Sequence, residues 1–412
     1  MDKKLIVAVD VSNNTLSVAA AYKYPDKRID IVDYRRQPID IDTSNGIIHN
    51  PNNILSRLND CMQDIEHHLN VKIGRYYLGI EPYTLRSETK QLSITATAGN
   101  NISQTLSRLA EEAKNTYSHD ERSFLCSYPL ETYLGATVKG DFLILSLADE
   151  VKTQIDKIFA NLSTERKAIL RIAPTVEADT FVAESRKSEG VLFVDFGGEV
   201  TSFALYKDQF PRLVGVLPLG GRHITNDISA RFDFNFDIAE KAKIQLGVSS
   251  TAFVKEGKTY KLDTKSAVSI EFSDTELAET IEARQCEIID FILKEIDFRD
   301  LKSSYESIVA VGNATKLRKF KELLEKQTGK PVDIIDSTLR YNDKEISNTL
   351  LTAMLERAED DCTAAEKPAI PTASVANKKN ETKPPKEKKN KKESRFGWMM
   401  RNMFDDDNES KI

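Results

Sequence analysis

Two stretches of the chain place a carboxylate beside a short turn between two apolar runs. One reads VLFVDFGGEVTSFALY over residues 191–206, and the other reads IVAVDVSNNTLSVAA over residues 6–20. Laying one on the other sets Asp10 on Asp195 and Ser17 on Ser202. Each stretch predicts a β-hairpin with an aspartate at the end of its first strand. The repeat, about 185 residues apart, predicts two similar half-domains that face each other.

Hairpins of this kind can bind anions, because a tight glycine turn leaves backbone N–H groups pointing outward. A neighbouring carboxylate suits a bare phosphate badly, but it fits if a divalent cation lies between them, held through water. Two facing hairpins would then hold phosphates from both sides, and each would offer one aspartate to the ion. The alternative is an ordinary hairpin in which Asp and Gly only form the turn.

The composition is that of a multi-domain protein with no global bias toward nucleic acid. The chain has 412 residues, 58 basic and 64 acidic side chains, a net charge of −6 and 40% hydrophobic residues. A chain of this length exceeds what one core usually serves. Four scattered cysteines indicate reduced thiols rather than a disulfide framework. No run approaches the ~20 apolar residues that span a bilayer, and the N-terminus does not resemble a signal peptide.

Strand and helix patterns alternate along the body, which predicts an α/β architecture. Strands are expected at 5–10, 15–22, 28–34, 74–80, 168–173, 308–311 and 332–335, and helices at 53–69, 149–162, 175–185, 237–246, 275–296, 315–328 and 344–357. Residues 359–393 are rich in Pro, Lys, Asn and Glu, which predicts a disordered linker. An apolar island, SRFGWMMRNMF (394–404), and an acidic end follow it.

The stretch VLFVDFGGEVTSFALYKDQFPRLVGVLPLGGRHITNDIS (191–229) resembles the second phosphate hairpin of the bacterial cell-division FtsA family, within the actin-like superfamily. It continues into a Pro-x-Gly-Gly turn and a helix opened by Thr225 and Asp227. An insertion at about 83–163, a glycine-containing adenosine turn and an amphipathic tail follow the order of that family. The resemblance covers essentially the whole chain, and it implies an actin-like two-lobed fold of two facing duplicated α/β domains.

The resemblance also implies a division into subdomains. The first lobe (1A) would comprise residues 1–82, 164–190 and 345–358, with the inserted subdomain (1C) at 83–163. The base of the second lobe (2A) would comprise 191–225 and 305–344, and its outer subdomain (2B) 226–304. The linker would run over 359–393, and an amphipathic membrane helix over 394–404.

A nucleotide site for ATP and Mg²⁺ is implied between the lobes. The matching positions are Asp10, Ser12, Asn13, Asp195, Gly197, Gly198, Glu240, Lys243, Gly312 and Asn313, with Asp10 and Asp195 nearest the metal. Glu240 and Lys243 share one helix face and would reach the adenosine. The alternatives are a capping box of Asp237 with Glu240, a solvated Lys243, and a plain strand–helix turn at Gly312.

Departures from the family pattern make binding plausible and fast turnover unexpected. The first hairpin reads Ser12-Asn13-Asn14-Thr15 where Gly-Thr with a basic residue two positions later is usual, so the glycine and the cation are both missing. Gly312-Asn313 stands where two glycines are expected. Glu199 stands where backbone should meet phosphate, and it would add repulsion on the order of 1–4 kcal/mol at ~4 Å. The alternatives are that its carboxylate binds the ion or points away. No catalytic residue is assigned. Glu177 and Asp179 are acidic candidates for positioning water, although a helix N-terminus favours acids anyway.

The tail has the pattern of a short interfacial membrane helix. On a helical wheel Phe396, Met399, Met400, Met403 and Phe404 fall within about 140°, whereas Trp398, also a candidate membrane residue, lies on the far side. Residues 378–401 carry ten basic and three acidic side chains, which favours an anionic surface. Asp405, Asp406 and Asp407 oppose such a surface. The alternatives are a peptide that docks on a partner protein and an accidental amphipathic end.

Partners and location follow from the resemblance alone. The outer subdomain would receive the C-terminal peptide of the tubulin-like protein FtsZ, with Arg284 gripping the acidic peptide; the alternative is a local pair of Arg284 with Glu287. The family polymerises head to tail and meets later division proteins at the septum, on the cytoplasmic face of the inner membrane. Other interpretations are a pseudo-ATPase scaffold, a pilus-assembly relative and a sugar-kinase-like phosphotransferase.

Overall fold

Each of the two repeated hairpins opens a five-stranded sheet. The computed structural model describes residues 3–12, 15–39, 43–44, 47–48, 51–95, 102–117, 121–133, 137–160, 166–254, 257–263 and 269–364. The first part of the chain contains β1 (Lys4–Ser12), β2 (Thr15–Lys23), β3 (Ile29–Pro38), β4 (Thr43–Ser44), β5 (Ile47–Ile48), α1 (Pro51–Leu69) and β6 (Arg75–Ile80). The next part contains β7 (Arg86–Thr95), α2 (Ile102–Tyr117), β8 (Arg122–Tyr133), β9 (Thr137–Ala148), α3 (Asp149–Ala160), β10 (Lys167–Ile172), α4 (Ala173–Phe181) and α5 (Glu184–Glu189).

The second half repeats the plan of the first. It begins with β11 (Val191–Phe196), β12 (Thr201–Lys207), β13 (Phe210–Leu217), α6 (Gly221–Phe232), α7 (Phe236–Leu246), β14 (Thr259–Asp263), β15 (Ser269–Ser273) and α8 (Asp274–Phe298). It ends with β16 (Ser307–Val311), α9 (Phe320–Thr328), β17 (Val332–Ile334), β18 (Leu339–Tyr341), β19 (Lys344–Ile346) and α10 (Thr349–Arg357).

The two large sheets have the same topology, which confirms the internal repeat. Their strand orders are β10-β6-β1-β2-β3 and β13-β12-β11-β16-β17. Each is an antiparallel meander of three strands extended by two parallel strands, as expected for α/β units with helical crossovers. β11 is buried along its whole length, which explains its nearly continuous apolar sequence. We call the part built on the first sheet the first lobe and the part built on the second sheet the second lobe.

Residues 86–160 supply a separate three-stranded sheet in the order β7-β9-β8. Helix α2 covers it, and Leu92, Leu109, Val138 and Phe142 form a small core of their own. The sheet touches the second lobe through Ser87, whose hydroxyl donates to the Val214 carbonyl oxygen at 2.7 Å. This arrangement agrees with the α/β pattern expected of the inserted block, whose predicted bounds stay a prediction.

Several predicted helices begin or end elsewhere, and the one expected over 175–185 is divided into α4 and α5. The prediction of a helix over 344–357 was wrong in its first turn, because β18 and β19 form a hairpin there. Asn342 and Asp343 both have positive φ (49° and 60°), the conformation that a two-residue hairpin turn requires. The helix expected over 315–328 begins only at Phe320, after Lys319 adopts a left-handed conformation. Helix α6 begins at Gly221 rather than at Thr225.

The end of the described chain is fastened to the first lobe. Cys362 is buried, its N–H donates to the Leu5 carbonyl oxygen at 2.7 Å, and its carbonyl oxygen accepts from Gly74 at 2.9 Å. The N–H of Ala364 donates to the Lys72 carbonyl oxygen at 2.8 Å. The described part of the chain therefore ends beside β6. Among the described residues, none of the helices combines the length and apolarity needed to traverse a lipid bilayer.

Candidate functional site

The two aspartates of the repeat occupy equivalent positions in the two sheets. Asp10 pairs across its hairpin with Ser17, and Asp195 pairs with Ser202, which confirms the alignment made from the sequence. Both aspartates are buried, each 8% exposed. Each lies near the carboxyl end of a strand with a parallel neighbour, β6 for Asp10 and β16 for Asp195, where open α/β sheets bind ligands. The charge on Asp10 raises the pKa of Asp195, so the two groups interact.

Four acidic side chains meet between the hairpins. Glu81 directly follows β6, Glu177 lies on α4, and Asp10 and Asp195 complete the group that we call the carboxylate cluster. Burial raises the pKa of Glu81 to about 8, and the nearby charges of Asp195 and Asp10 add to this effect. Burial raises the pKa of Asp195 to about 6. Burial, together with the charge of Asp195, also raises the pKa of Glu177 well above its usual range.

The carboxylate cluster has unsatisfied acceptor atoms. Oε2 of Glu177 and Oδ1 of Asp195 are buried and find no hydrogen-bond partner among the described residues. Buried polar atoms without partners are uncommon in folded proteins. A proton shared by Glu177 and Asp195, which are hydrogen-bonded to each other, would compensate such atoms, and so would a divalent ion. No group of three or more His, Cys, Asp or Glu side chains within the described ranges has metal-binding geometry, so ligation by Asp10 and Asp195 would rely on water.

Asn348 orients the first aspartate. Its side-chain N–H donates to Oδ2 of Asp10 at 2.7 Å, while its side-chain oxygen accepts from the backbone N–H of Leu351 at 2.8 Å and caps α10. One amide therefore couples the start of α10 to the first hairpin. This contact was not expected from the sequence, because the predicted helix over 344–357 placed Asn348 in a helix interior.

Gly312 lies against Asp195 and leaves no room for a side chain. Its φ is +94°, and a Cβ built there would lie 2.1 Å from Oδ1 of Asp195 and 2.5 Å from the Phe196 carbonyl oxygen. Such a φ and such distances both require glycine. Beside this turn is a cavity of about 280 Å³, lined by Gly312, Asn313, Thr315, Lys316, Ile334, Ile335, Asp336, Ser337, Ser347 and Thr349. The glycine of the predicted adenosine turn is thus adjacent to the second hairpin.

The tip of the second hairpin rests on the start of α6. The carbonyl oxygens of Gly197 and Gly198 accept from the backbone N–H groups of Gly221 at 2.9 Å and Arg222 at 2.7 Å. A Cβ added to Gly220 would lie within 2.8 Å of both carbonyl oxygens. A Cβ on Gly198 would meet no other atom within 4 Å, so a ligand can approach the backbone there.

Glu199 forms an ion pair at this tip. Nε of Arg222 lies 3.3 Å from Oε1 of Glu199, and the Arg222 guanidinium lies 4.6 Å from the centre of the Phe236 ring. From the sequence, the Glu199 carboxylate was expected to repel a bound phosphate. The neighbouring Arg222 guanidinium offsets part of that repulsion. Because the pair is half-exposed, it contributes little to stability.

Glu240 and Lys243 both lie beside the start of α6, where they contact each other and other groups of the protein. Nζ of Lys243 lies 2.9 Å from the Gly221 carbonyl oxygen, 2.7 Å from Oγ1 of Thr225 and 2.7 Å from Oε2 of Glu240. Lys243 is 7% exposed, so the alternative of a solvated lysine was wrong. Asn235 caps α7, so the Asp237 capping box does not form. The network ties α7 to the start of α6.

The other predicted residues lie outside this group or outside the described part of the chain. Asp179 pairs with Lys187 at 2.7 Å and does not join the carboxylate cluster. Ser12 is the last residue of β1. Asn13 and the membrane candidates Phe396, Trp398, Met399, Met400, Met403 and Phe404 lie outside the described residues.

Arg284, the predicted peptide-binding residue, lies on α8 and faces α6. Its Nε and Nη2 bind the Asp227 carboxylate at 2.6 Å and 2.9 Å, and Nη1 contacts Glu287. The hydrogen bond to Asp227 raises the pKa of the guanidinium further. The local pair with Glu287 is therefore present, together with a bidentate pair that the sequence did not indicate.

Comparison with known proteins places this geometry in context. The sequence model of the family "Cell division protein FtsA" matches residues 192–355. The chain is 25% identical over 359 residues to the cell division protein FtsA of Buchnera aphidicola subsp. Baizongia pistaciae, covering 81% of this chain and 84% of the relative. It is 24% identical over 350 residues to FtsA of Neisseria meningitidis serogroup B, covering 80% and 83%.

Two solved structures share the fold. The PilM–PilN type IV pilus biogenesis complex matches with a TM-score of 0.58 and 14% identity, covering 80% of this chain and 88% of that one. MreB5 of Spiroplasma citri, solved with ADP, matches with a TM-score of 0.51 and 11% identity, covering 86% and 94%. The chain, with its duplicated sheets, therefore has the fold of these actin-like proteins.

Over about four fifths of its length the chain is similar in sequence to cell division proteins FtsA.

Proposed function

We propose that this protein is a nucleotide-binding adaptor that tethers the FtsZ ring to the cytoplasmic membrane at the division septum. The proposal rests on the interaction of Asp10 with Asp195, which would face each other across a nucleotide cleft, and on Gly312 lying against Asp195. An actin-like adaptor needs such a cleft, whereas a structural pair of hairpins has no reason to leave buried carboxylate oxygens without partners. The superfamily kinship and the FtsA homologues support the same assignment.

The nucleotide is ATP with Mg²⁺. Gly197 and Gly198 would contact the phosphates, as would Ser12 and Asn13 on the opposite hairpin. Gly312 and Asn313 would contact the adenosine. Mg²⁺ would neutralise charge between the phosphates and the two aspartates. Lys243 and Glu240 reach the nucleotide only if they exchange one of their present partners, so we expect them to hold α6 in place as well.

Isothermal titration with ATP and Mg²⁺ tests this site. Wild-type protein should give measurable heat at ~1 mM nucleotide, where even a millimolar dissociation constant registers. Asp195→Asn should abolish the heat, whereas Asp343→Asn, in the exposed turn between β18 and β19, should not change it. Absence of heat from the folded wild-type protein would favour a pseudo-ATPase scaffold. Turnover, measured as phosphate release, should be slow, because Asp179, one of the two acidic candidates for positioning water, is held by Lys187.

The C-terminal peptide of FtsZ binds at Arg284. An acidic peptide can take over the guanidinium because the side chain stays 25% exposed beside Asp227. Fluorescence anisotropy of a labelled peptide should show binding to wild-type protein and at least tenfold weaker binding to Arg284→Ala. Lys321→Ala, a charge removal on α9, is the matched control and should bind normally. Equal binding by Arg284→Ala would contradict the assignment.

The tail anchors the protein on the membrane. Burial of its five stripe side chains would give at most ~1.5–3 kcal/mol each, and each nearby Lys or Arg ~1 kcal/mol on anionic lipid. Sedimentation with anionic vesicles should recover the full chain but not a variant lacking residues 394–412. Met399→Glu, on the stripe, should release the protein, whereas Asn402→Glu, the same charge added off the stripe, should release much less. Equal loss in the two variants would contradict an ordered amphipathic contact.

Self-association and later division partners complete the proposal. We expect head-to-tail filaments, since a heterologous contact repeats without closing, and we assign part of that contact to the inserted block. Electron microscopy of the protein on lipid monolayers should show filaments that Phe404→Asp abolishes by removing the protein from the surface. A closed dimer at all concentrations would contradict this part of the proposal.

A further inference from the structure

The exposed side of α8 carries two large apolar side chains. Phe298 is 83% exposed and Phe291 is 43% exposed. They are seven residues apart, or two turns, and therefore lie on the same helix face, ~10 Å from each other. With their exposed neighbours Ala283, Glu287, Asp290, Lys294 and Asp297 they form what we call the α8 stripe. A face that exposes two large apolar side chains can serve as a docking surface.

The charge of α8 indicates the chemistry of its partner. The helix has eight acidic and two basic side chains, and three of the acids, Glu287, Asp290 and Asp297, lie in the α8 stripe. A partner should therefore combine apolar side chains with surrounding positive charge. Residues 378–404 of this chain have that combination, because ten basic and three acidic side chains lie in 378–401 and overlap the apolar island.

The spacing of the tail also matches the α8 stripe. If residues 394–404 form the helix that their pattern predicts, Phe396 and Met403 are seven residues apart, with Met399 and Met400 between them. This apolar row is as long as the distance from Phe291 to Phe298. Two helices can pack such rows side by side.

The chain is long enough to bring the two together. The described residues end at Ala364, which is bonded to Lys72, next to Gly74. The far end of α8 is fixed to β7, because Nη1 of Arg299 donates to the Ser87 carbonyl oxygen at 3.1 Å. The chain from Gly74 to Ser87 can extend at most ~45 Å. Residues 365–393 reach ~30 Å on average as a flexible linker and ~100 Å when extended.

We propose that residues 394–404 dock intramolecularly on the α8 stripe when no lipid is present. Tethering raises the effective concentration of the tail at α8 to the millimolar range, so a weak contact suffices. Docking hides the apolar face of the tail, and an anionic surface competes for the same side chains. The docking itself does not depend on the proposed membrane role, whereas the competition with lipid does.

Hydrogen–deuterium exchange of the full chain without lipid tests the docking. If nine tenths of the molecules are docked, amides in 394–404 should exchange about tenfold more slowly than in an undocked peptide. The double variant Phe291→Ser, Phe298→Ser should lose this protection. Ile244→Ser, on α7 and 65% exposed, is the matched control and should keep it. Both Phe side chains are exposed, so the double variant should remain folded, as its circular dichroism would verify.

Equal exchange of 394–404 in the wild type and the double variant would overturn the proposal. Protection of 394–404 that disappears on dilution of the protein would also overturn the proposal, because the tail on the α8 stripe would then come from a second copy of the chain. Sedimentation with anionic vesicles separates this inference from the proposed function. The double variant should bind vesicles about tenfold more tightly than wild type, because the docked fraction no longer competes. Exchange as predicted with no vesicle binding would support docking and contradict the membrane role.

Discussion

The carboxylate cluster makes the stability of this protein depend on pH, and Glu81 shows the effect best. Its pKa is about 8, against 4.5 in an unfolded chain. Between these values the folded state binds more protons than the unfolded state. The stability contributed by this group is therefore fully present below about pH 4.5 and is lost as the pH rises through about 8.

The magnitude follows from that difference. At 1.36 kcal/mol per pKa unit, the difference between the folded and unfolded pKa of Glu81 corresponds to at most ~5 kcal/mol of stability. Because Glu81, Glu177, Asp195 and Asp10 interact, removing one charge relieves only part of this cost. We expect Glu81→Gln to raise the free energy of unfolding by ~2 kcal/mol at about pH 8.5 and to change it little at about pH 5.

Urea unfolding with EDTA and without nucleotide measures this effect across the pH range. Glu111→Gln, an exposed carboxylate on α2, is the matched control and should follow the wild-type profile. The reasoning would be refuted if the profiles of Glu81→Gln and wild type ran parallel. A stabilisation that grows toward low pH would refute it as well.

Three further substitutions test the second hairpin and its supports. Lys243→Met should lower the free energy of unfolding by ~2–4 kcal/mol, because it breaks a buried hydrogen-bond network and leaves Glu240 without its cation. Lys241→Met, on the exposed side of the same helix, should lower it little. Equal losses in urea unfolding would contradict a stabilising role of the Lys243 network. Gly312→Ala should cost ~3 kcal/mol or more and abolish ATP binding, because the methyl group would meet Asp195. Gly329→Ala, also at positive φ but with no neighbour within 4 Å, should cost only ~1 kcal/mol, and similar stability of the two variants would contradict the close packing. Glu199→Gly should tighten ATP binding in titration calorimetry, because it removes a carboxylate and releases Arg222; weaker binding would show that Glu199 helps to hold the ion.

The general plan could be predicted because its signals are local. Apolar runs, a carboxylate and a glycine turn define each hairpin, and the pairs Asp10–Ser17 and Asp195–Ser202 formed as the alignment required. Helices α1, α7 and α8 lie within a few residues of the predicted bounds. Long periodic segments specify their own structure, whatever surrounds them.

The contacts that define the site could not be predicted, because they join residues far apart in the chain. Nothing in LGIEPY distinguishes Glu81 from a surface acid, although an acid directly after a buried strand lies at the same sheet edge as Asp10. Asn348 was hidden by the positive-φ turn at Asn342 and Asp343, which replaced a predicted helical turn by a hairpin. The ion pair of Arg222 with Glu199 depends on where α6 begins, and the sequence placed that start four residues too late.

A structure of the full chain with Mg²⁺ and a non-hydrolysable ATP analogue tests the central claim most directly. The account predicts the phosphates between Gly198 and the first hairpin, with Mg²⁺ near Asp10 and Asp195 and Oδ1 of Asp195 no longer without a partner. Nucleotide bound elsewhere, or an empty cleft at saturating nucleotide with Asp10 and Asp195 unchanged, would contradict it.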